Sequence, residues 1–223
     1  MRAKDLINYT IPPLKLSDVV EKVQDWFGEF HINELPIVEN GKFVGFFSEE
    51  MLLDDITGAK TVGDFRLMRH GLHVDQDVHY YQLLKKAHEA GSNLVAVLDD
   101  QEVYLGTVTI QDVVEAFSKM SSIHSPGTIL VVSMPPKDYS MTDISRIIES
   151  EGGKILSSFV DDGQEAEPTG EIQVTIKLNL ENGSNIVAAL ERYGYVISAI
   201  YGKGHEEIFE QERLDTLMRY LKV

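Results

Sequence analysis

The sequence predicts an α+β chain built from two α-β-β-α units followed by a βαββαβ unit. Three observations carry that. The phrase "GFFSEEM" (45–51) returns as "GTVTIQD" (106–112), with the same Gly and a hydroxyl at Ser48 and Thr109. Each phrase closes a pair of apolar runs that follow a helical stretch. Beyond residue 127 the order changes to strands alternating with two amphipathic helices.

In the first unit, "LSDVVEKVQDWFGEF" sets Val19, Val20, Val23, Phe27 and Phe30 at helical spacing, with Ser17 as the expected N-cap. "ELPIVENGKFVGFFS" gives two strands around Asn40-Gly41, a pair that tolerates positive φ at both positions. "EEMLLDDI" closes the unit as a short helix. In the second, "DQDVHYYQLLKKAHEAG" predicts a helix with Val78, Tyr81, Leu84 and Ala87 on its inner side and Gly91 as its stop. "LVAVLDDQEVYLGTVT" supplies two strands around Asp99-Asp100-Gln101, and "IQDVVEAFSKM" the closing helix. The boundaries fall at 1–60 and 61–122. Neither unit covers its own sheet, so the two are expected to pack face to face.

"SSIHSPG" (121–127) reads as a linker. The third unit, 127–202, then runs "TILVVSM" as a strand and "SMTDISRIIESEGG" as a helix buried through Met141, Ile144, Ile147 and Ile148. "KILSSFV" follows as a strand. "EIQVTIKLNL" alternates Ile172, Val174, Ile176, Leu178 and Leu180 against polar neighbours, the pattern of a half-buried antiparallel strand. "GSNIVAALERYG" and "YVISAIYG" complete the βαββαβ order of a ferredoxin-like plan. The tail, 203–223, spaces Leu214, Leu217, Met218 and Leu221 as an amphipathic helix.

Bulk chemistry excludes several functions. Twenty Lys+Arg against 36 Asp+Glu give −16, a field that repels phosphate backbones and anionic lipid. With no Cys there is no disulfide framework and no thiolate nucleophile. No apolar run reaches the ~20 residues of a membrane span, so a cytoplasmic protein is expected, with no nucleic-acid or membrane partner. The chain contains no Gly-x-Ser-x-Gly, no Walker loop and no GxGxxG, and no catalytic residue is assigned. His70 and His73 form an HxxH without a third ligand, and the acids between Ser48 and Asp55 fit a solvated helix face; no metal is expected.

The duplicated phrase resembles the CBS domain. "LPIVENGKFVGFFSEEM" and "VAVLDDQEVYLGTVTIQD" follow that family's apolar run, turn, and Gly-apolar-apolar-(Ser/Thr)-x-x-Asp ending. The resemblance implies a CBS-domain pair, or Bateman module, with clefts that bind adenosine compounds. The third unit resembles an ACT domain by element order, with "PPKDYSM" placing Tyr139 and Ser140 where that family usually has Pro and Gly. The whole arrangement is similar to acetoin-utilisation-type CBS-CBS-ACT regulators.

The resemblance implies a site. A carboxylate at Asp112 accepts both hydroxyls of a ribose, and Thr109, at the start of the closing helix, meets a phosphate. Other residues implied for this site are His73 and Val74 on the short strand before the helix, Leu94 and Val95 through their backbone, and Arg66 and Arg69 as phosphate partners. The first-repeat cleft, with Ile11, Leu35, Pro36 and Ser48, is weaker: Met51 stands in place of the Asp, and Glu50 is one position off. Thr109 and Asp112 equally suit a helix cap and its N-terminal dipole.

The function implied is a regulatory module that needs no cofactor and takes AMP, ADP, ATP or S-adenosylmethionine as a regulatory ligand, acting on its own assembly or on an unknown regulated protein. The alternative is a ligand-free dimerisation or scaffold protein. A homodimer or higher assembly is expected through both kinds of domain.

Overall fold

A computed structural model describes residues 1–52, 59–65, 71–161 and 170–202 of the chain. The chain divides into two compact units, Met1–Ser118 and Lys119–Val223.

Unit 1 contains the duplication. Helix α1 (Val20–Phe30) leads into the hairpin β1 (Glu34–Glu39) and β2 (Lys42–Ser48); α2 (Tyr80–Ala90) leads into β4 (Leu94–Leu98) and β5 (Tyr104–Thr109), after the short strand β3 (His73–Asp75). Helix α3 (Ile110–Ser118) closes the unit. Strands β1 and β2 pair antiparallel, while β3, β4 and β5 form a second sheet with β3 parallel to β4. The first copy repeats the parallel contact in miniature, as the bridge Leu14↔Ile37. Asn40 and Gly41 turn the first hairpin with φ 50° and 79°, as their chemistry predicts. In the second hairpin Asp99 accepts from the backbone N–H of Gln101 and Val103, both at 2.8 Å, and Glu102 takes the positive φ.

The leader segments cross between copies. Ala3 N–H donates to Val78 O at 2.9 Å and Lys4 N–H to Gln76 O at 3.0 Å, so the first residues sit on the second copy. Val62 N–H donates to Asp18 O and Gly63 N–H to Leu16 O, so the second leader sits on the first copy.

Three readings need correction. The N-cap of α1 is Val19, not Ser17, so the first turn has no side-chain cap. The inner side of α2 is Tyr80, Leu83 and Ala87, which pack into the core of unit 1, while Tyr81 is 63% exposed and Leu84 half-buried; the helix begins at Tyr80 behind His79, whose Nδ1 accepts from Tyr81 N–H. The phrase "EEML" forms a 3-10 turn rather than an α-helix, and the rest of that predicted helix lies outside the described residues.

Unit 2 follows the predicted order βαββαβ: β6 (Ile129–Met134), α5 (Met141–Ser150), β7 (Ile155–Asp161), β8 (Ile172–Leu178), α6 (Ser184–Arg192) and β9 (Val196–Tyr201), preceded by one helical turn, α4 (Ser121–His124). The four strands form one antiparallel sheet in the order β7-β8-β6-β9. Ile172, Val174, Ile176 and Leu178 face a core shared with Ile144, Ile147, Ile148 and Leu190. Ser140 caps α5 by accepting from Asp143 N–H at 3.3 Å. The predicted tail helix, 203–223, lies outside the described residues.

Candidate functional site

Unit 1 contains a cavity of about 480 Å³ where the leader, the end of α1 and the β5–α3 junction meet. Its wall includes Asn8, Ile11, His31, Thr109, Asp112 and Glu115. A neighbouring cavity of about 440 Å³ shares His31, Thr109 and Gln111 and adds Leu94. Both volumes lie in the range of small-molecule sites.

The β5–α3 junction is built as a reciprocal cap. Asp112 N–H donates to Thr109 Oγ1 at 2.9 Å, while the Asp112 carboxylate accepts from Thr109 N–H at 2.9 Å and from the Thr109 hydroxyl at 2.6 Å. The other face of the carboxylate is held by Asn8, whose amide donates to Oδ1 at 3.0 Å and to Oδ2 at 3.3 Å. Asn8 is itself fixed. Its N–H donates to Thr107 O at 2.8 Å, and its side-chain oxygen accepts from Thr10 N–H at 3.0 Å and from the Thr10 hydroxyl at 2.6 Å.

Gly106 explains how the leader comes so close. A Cβ there would stand 2.3 Å from Cγ2 of Ile7. The bare glycine lets Ile7 lie on β5 and sets Asn8 beside Asp112.

The first copy differs at the corresponding junction. Met51, which stands in the repeat where Asp112 stands in the second copy, is 5% exposed and packs in the core. Ser48 Oγ is buried with no hydrogen-bond partner. Opposite Ser48 in the strand register stands Glu34, which is buried and accepts from the Ser92 hydroxyl at 2.5 Å.

The structure brings together only part of the set implied by resemblance. Thr109 and Asp112 face one cavity, and Leu94 the adjoining one. Ile11, assigned to the first-repeat cleft, lines the cavity of Thr109 and Asp112. Leu35, Pro36, Val74 and Val95 are buried. His73 lies on β3 with its ring 6.2 Å from Phe43 and its Nδ1 buried without a partner. Its carbonyl accepts from Lys86 Nζ at 2.5 Å. Arg66, Arg69 and His70 lie outside the described residues.

Sequence reasoning missed Asn8 and His31. His31 was visible as the counterpart of Gly91 in the repeat, whereas nothing in the phrase "LINYT" marks Asn8. Near the second hairpin, burial pushes the Tyr104 hydroxyl up to about 12, against a hydrogen bond with Thr107 that lowers it. Asp75, Asp77 and Asp100 cluster on the surface, but Asp77 is ion-paired with Lys4 at 2.7 Å and Arg2 at 3.3 Å. Among the described residues no helix is long and apolar enough to cross a membrane.

No protein-family model and no curated protein matches the sequence. Solved structures similar to the chain include a CBS domain pair/ACT domain protein from Thermotoga maritima, at 21% identity and TM-score 0.47 over 52% of this chain and 96% of that one. Another is CBSX2 in complex with AMP, at 21% identity and TM-score 0.47 over 52% and 95%. A third is a CBS domain pair in complex with 5′-methylthioadenosine and S-adenosyl-L-methionine, at 23% identity and TM-score 0.44 over 53% and 96%.

Proposed function

We propose that unit 1 is a CBS-type regulatory module that binds an adenosine nucleotide in the cavity at the β5–α3 junction. The observation that carries this is the Thr109–Asp112 pair on the wall of a cavity of about 480 Å³. The carboxylate is anchored on one side by its own helix cap, which leaves the Asn8 side to exchange partners. Two ribose hydroxyls replace the Asn8 amide there, and the base packs on Ile11 and Ile32. The nucleotide thereby competes with the leader, so occupancy alters the leader's hold on the second copy. In this reading the module regulates its own assembly or a partner protein and performs no catalysis.

Unit 2 is proposed to be a ferredoxin-like, ACT-like pairing domain that makes the protein a homodimer at least. Its sheet ends in β7 and β9, and Phe159, Val196 and Tyr201 are 61%, 62% and 61% exposed. Sedimentation of the full chain finding only a 25.1 kDa species at tens of micromolar concentration would overturn it.

A second reading has its own support. The Asp112 carboxylate is already satisfied by Thr109 and Asn8, as a purely structural cap would be. Calorimetry of the full chain with AMP, ATP and S-adenosylmethionine, on the wild type and on Asp112→Asn, separates the two. The regulatory reading expects at least one of these to bind the wild type and to weaken about tenfold or more in the variant. If none binds at millimolar concentration, the protein is a ligand-free scaffold.

A further inference from the structure

The two long helices of unit 1 end alike. Helix α1 stops at Phe30 with His31 at φ 52°, ψ 41°; α2 stops at Ala90 with Gly91 at φ 57°, ψ 37°. In both, the cap N–H turns back to the helix, His31 to Phe27 O and Gly91 to Ala87 O. The following residues, Ile32-Asn33 and Ser92-Asn93, enter β1 and β4 in the same way. This is the left-handed conformation, in which a Cβ crowds the carbonyl and glycine is the unstrained residue. The second copy uses the unstrained residue and the first does not.

The side chain that causes this strain borders the proposed nucleotide site. His31 lines both cavities at the β5–α3 junction. Among the described residues lining the larger one it is the sole basic group, alongside Asp112 and Glu115. Non-glycine residues held in left-handed backbone gather at ligand sites, where the surrounding fold offsets the cost. A cap with no further task would be better served by the glycine that its own duplicate carries.

We infer that His31 is a specificity-determining residue of the cleft, whose imidazole donates a hydrogen bond to the anionic 5′ arm of a nucleoside monophosphate. The inference rests on the nucleotide-binding reading above and adds to it the group that recognises the phosphate. Asp112 then reads the ribose, and His31 distinguishes the nucleotide from the nucleoside.

The test pairs thermal melting with calorimetry on the full chain, using AMP and adenosine as probes. For His31→Gly the two readouts move in opposite directions. The melting temperature rises by a few degrees as the strain is released. AMP affinity falls about tenfold while adenosine affinity stays within about twofold. His31→Asn, which tolerates the same backbone but has no imidazole, keeps the wild-type melting temperature and shows the same loss for AMP. Unchanged AMP affinity in His31→Gly overturns the assignment. So does an equal loss for AMP and adenosine, which places the ring on the base instead. A lower melting temperature in His31→Gly refutes the strain. If the wild type binds neither probe, the cleft reading itself fails, a result distinct from loss of selectivity, and the role of His31 falls with it.

Discussion

Asp112→Ala probes the junction most directly, because its effect on stability is calculable before any ligand is considered. The carboxylate accepts from Thr109 N–H, from the Thr109 hydroxyl and from the Asn8 amide. Removing it dissolves the reciprocal cap of α3, a loss of about 1 kcal/mol. It also strips the acceptor from the half-buried Asn8 amide and Thr109 hydroxyl, at about 1 kcal/mol each where water fails to replace it. The cavity admits water to part of the site, so the sum is about 1.5–3 kcal/mol. For a unit of this size each kcal/mol lowers the melting temperature by roughly 4 °C, giving a drop of roughly 6–12 °C. Scanning calorimetry of Asp112→Ala, Asn8→Ala and the double variant reads this directly. The contact predicts a coupling of about 0.5–1.5 kcal/mol between the two sites. A melting temperature within about 1 °C of wild type, or additive single effects, refutes the picture of a carboxylate anchored by both copies.

Other outcomes follow from the same geometry. Met51→Asp puts a carboxylate where Met51 is 5% exposed and destabilises unit 1 by about 3 kcal/mol or more in urea melts. Gly106→Ala forces Ile7 off β5 and destabilises by about 1–3 kcal/mol, and hydrogen exchange at Asn8 N–H accelerates with it. The backbone N–H groups of Lys60 and Thr61, with the Thr61 hydroxyl, hold the Asp64 carboxyl below its ordinary 3.8. Its contribution is therefore present above about pH 4 and is lost as pH falls through the lowered value, and Asp64→Asn flattens that part of the acid limb in a pH series of urea melts.

The sequence announced the duplication because hairpin chemistry is local. Asn40-Gly41 satisfies its turn without help from the rest of the chain. The strands of unit 2 were equally legible, since Ile172, Val174, Ile176 and Leu178 alternate with polar residues and are all buried. Helix phase was less so. Tyr80, Leu83, Leu84 and Ala87 also have helical spacing, and it is the packing of Leu83 and Ala87 into the core that turns Tyr80 rather than Tyr81 inward. Within the candidate site, Thr109 and Asp112 stand three residues apart and were readable as a pair. Asn8 was not, for its partner is 104 residues away, and no local pattern encodes a contact of that separation.

The crossing of the leaders has a kinetic consequence. Ala3 and Lys4, which are synthesised before the second copy, find their backbone partners at Val78 and Gln76, and Asn8 pairs through its backbone with Thr107 and through its side chain with Asp112. A nascent first copy therefore has an unpaired leader until the second copy has been synthesised. These contacts join the two ends of unit 1, and contacts of such sequence separation slow folding. Separating the copies at residue 60 would divide the chain through its exchanged parts, leaving each half without the segment that completes it.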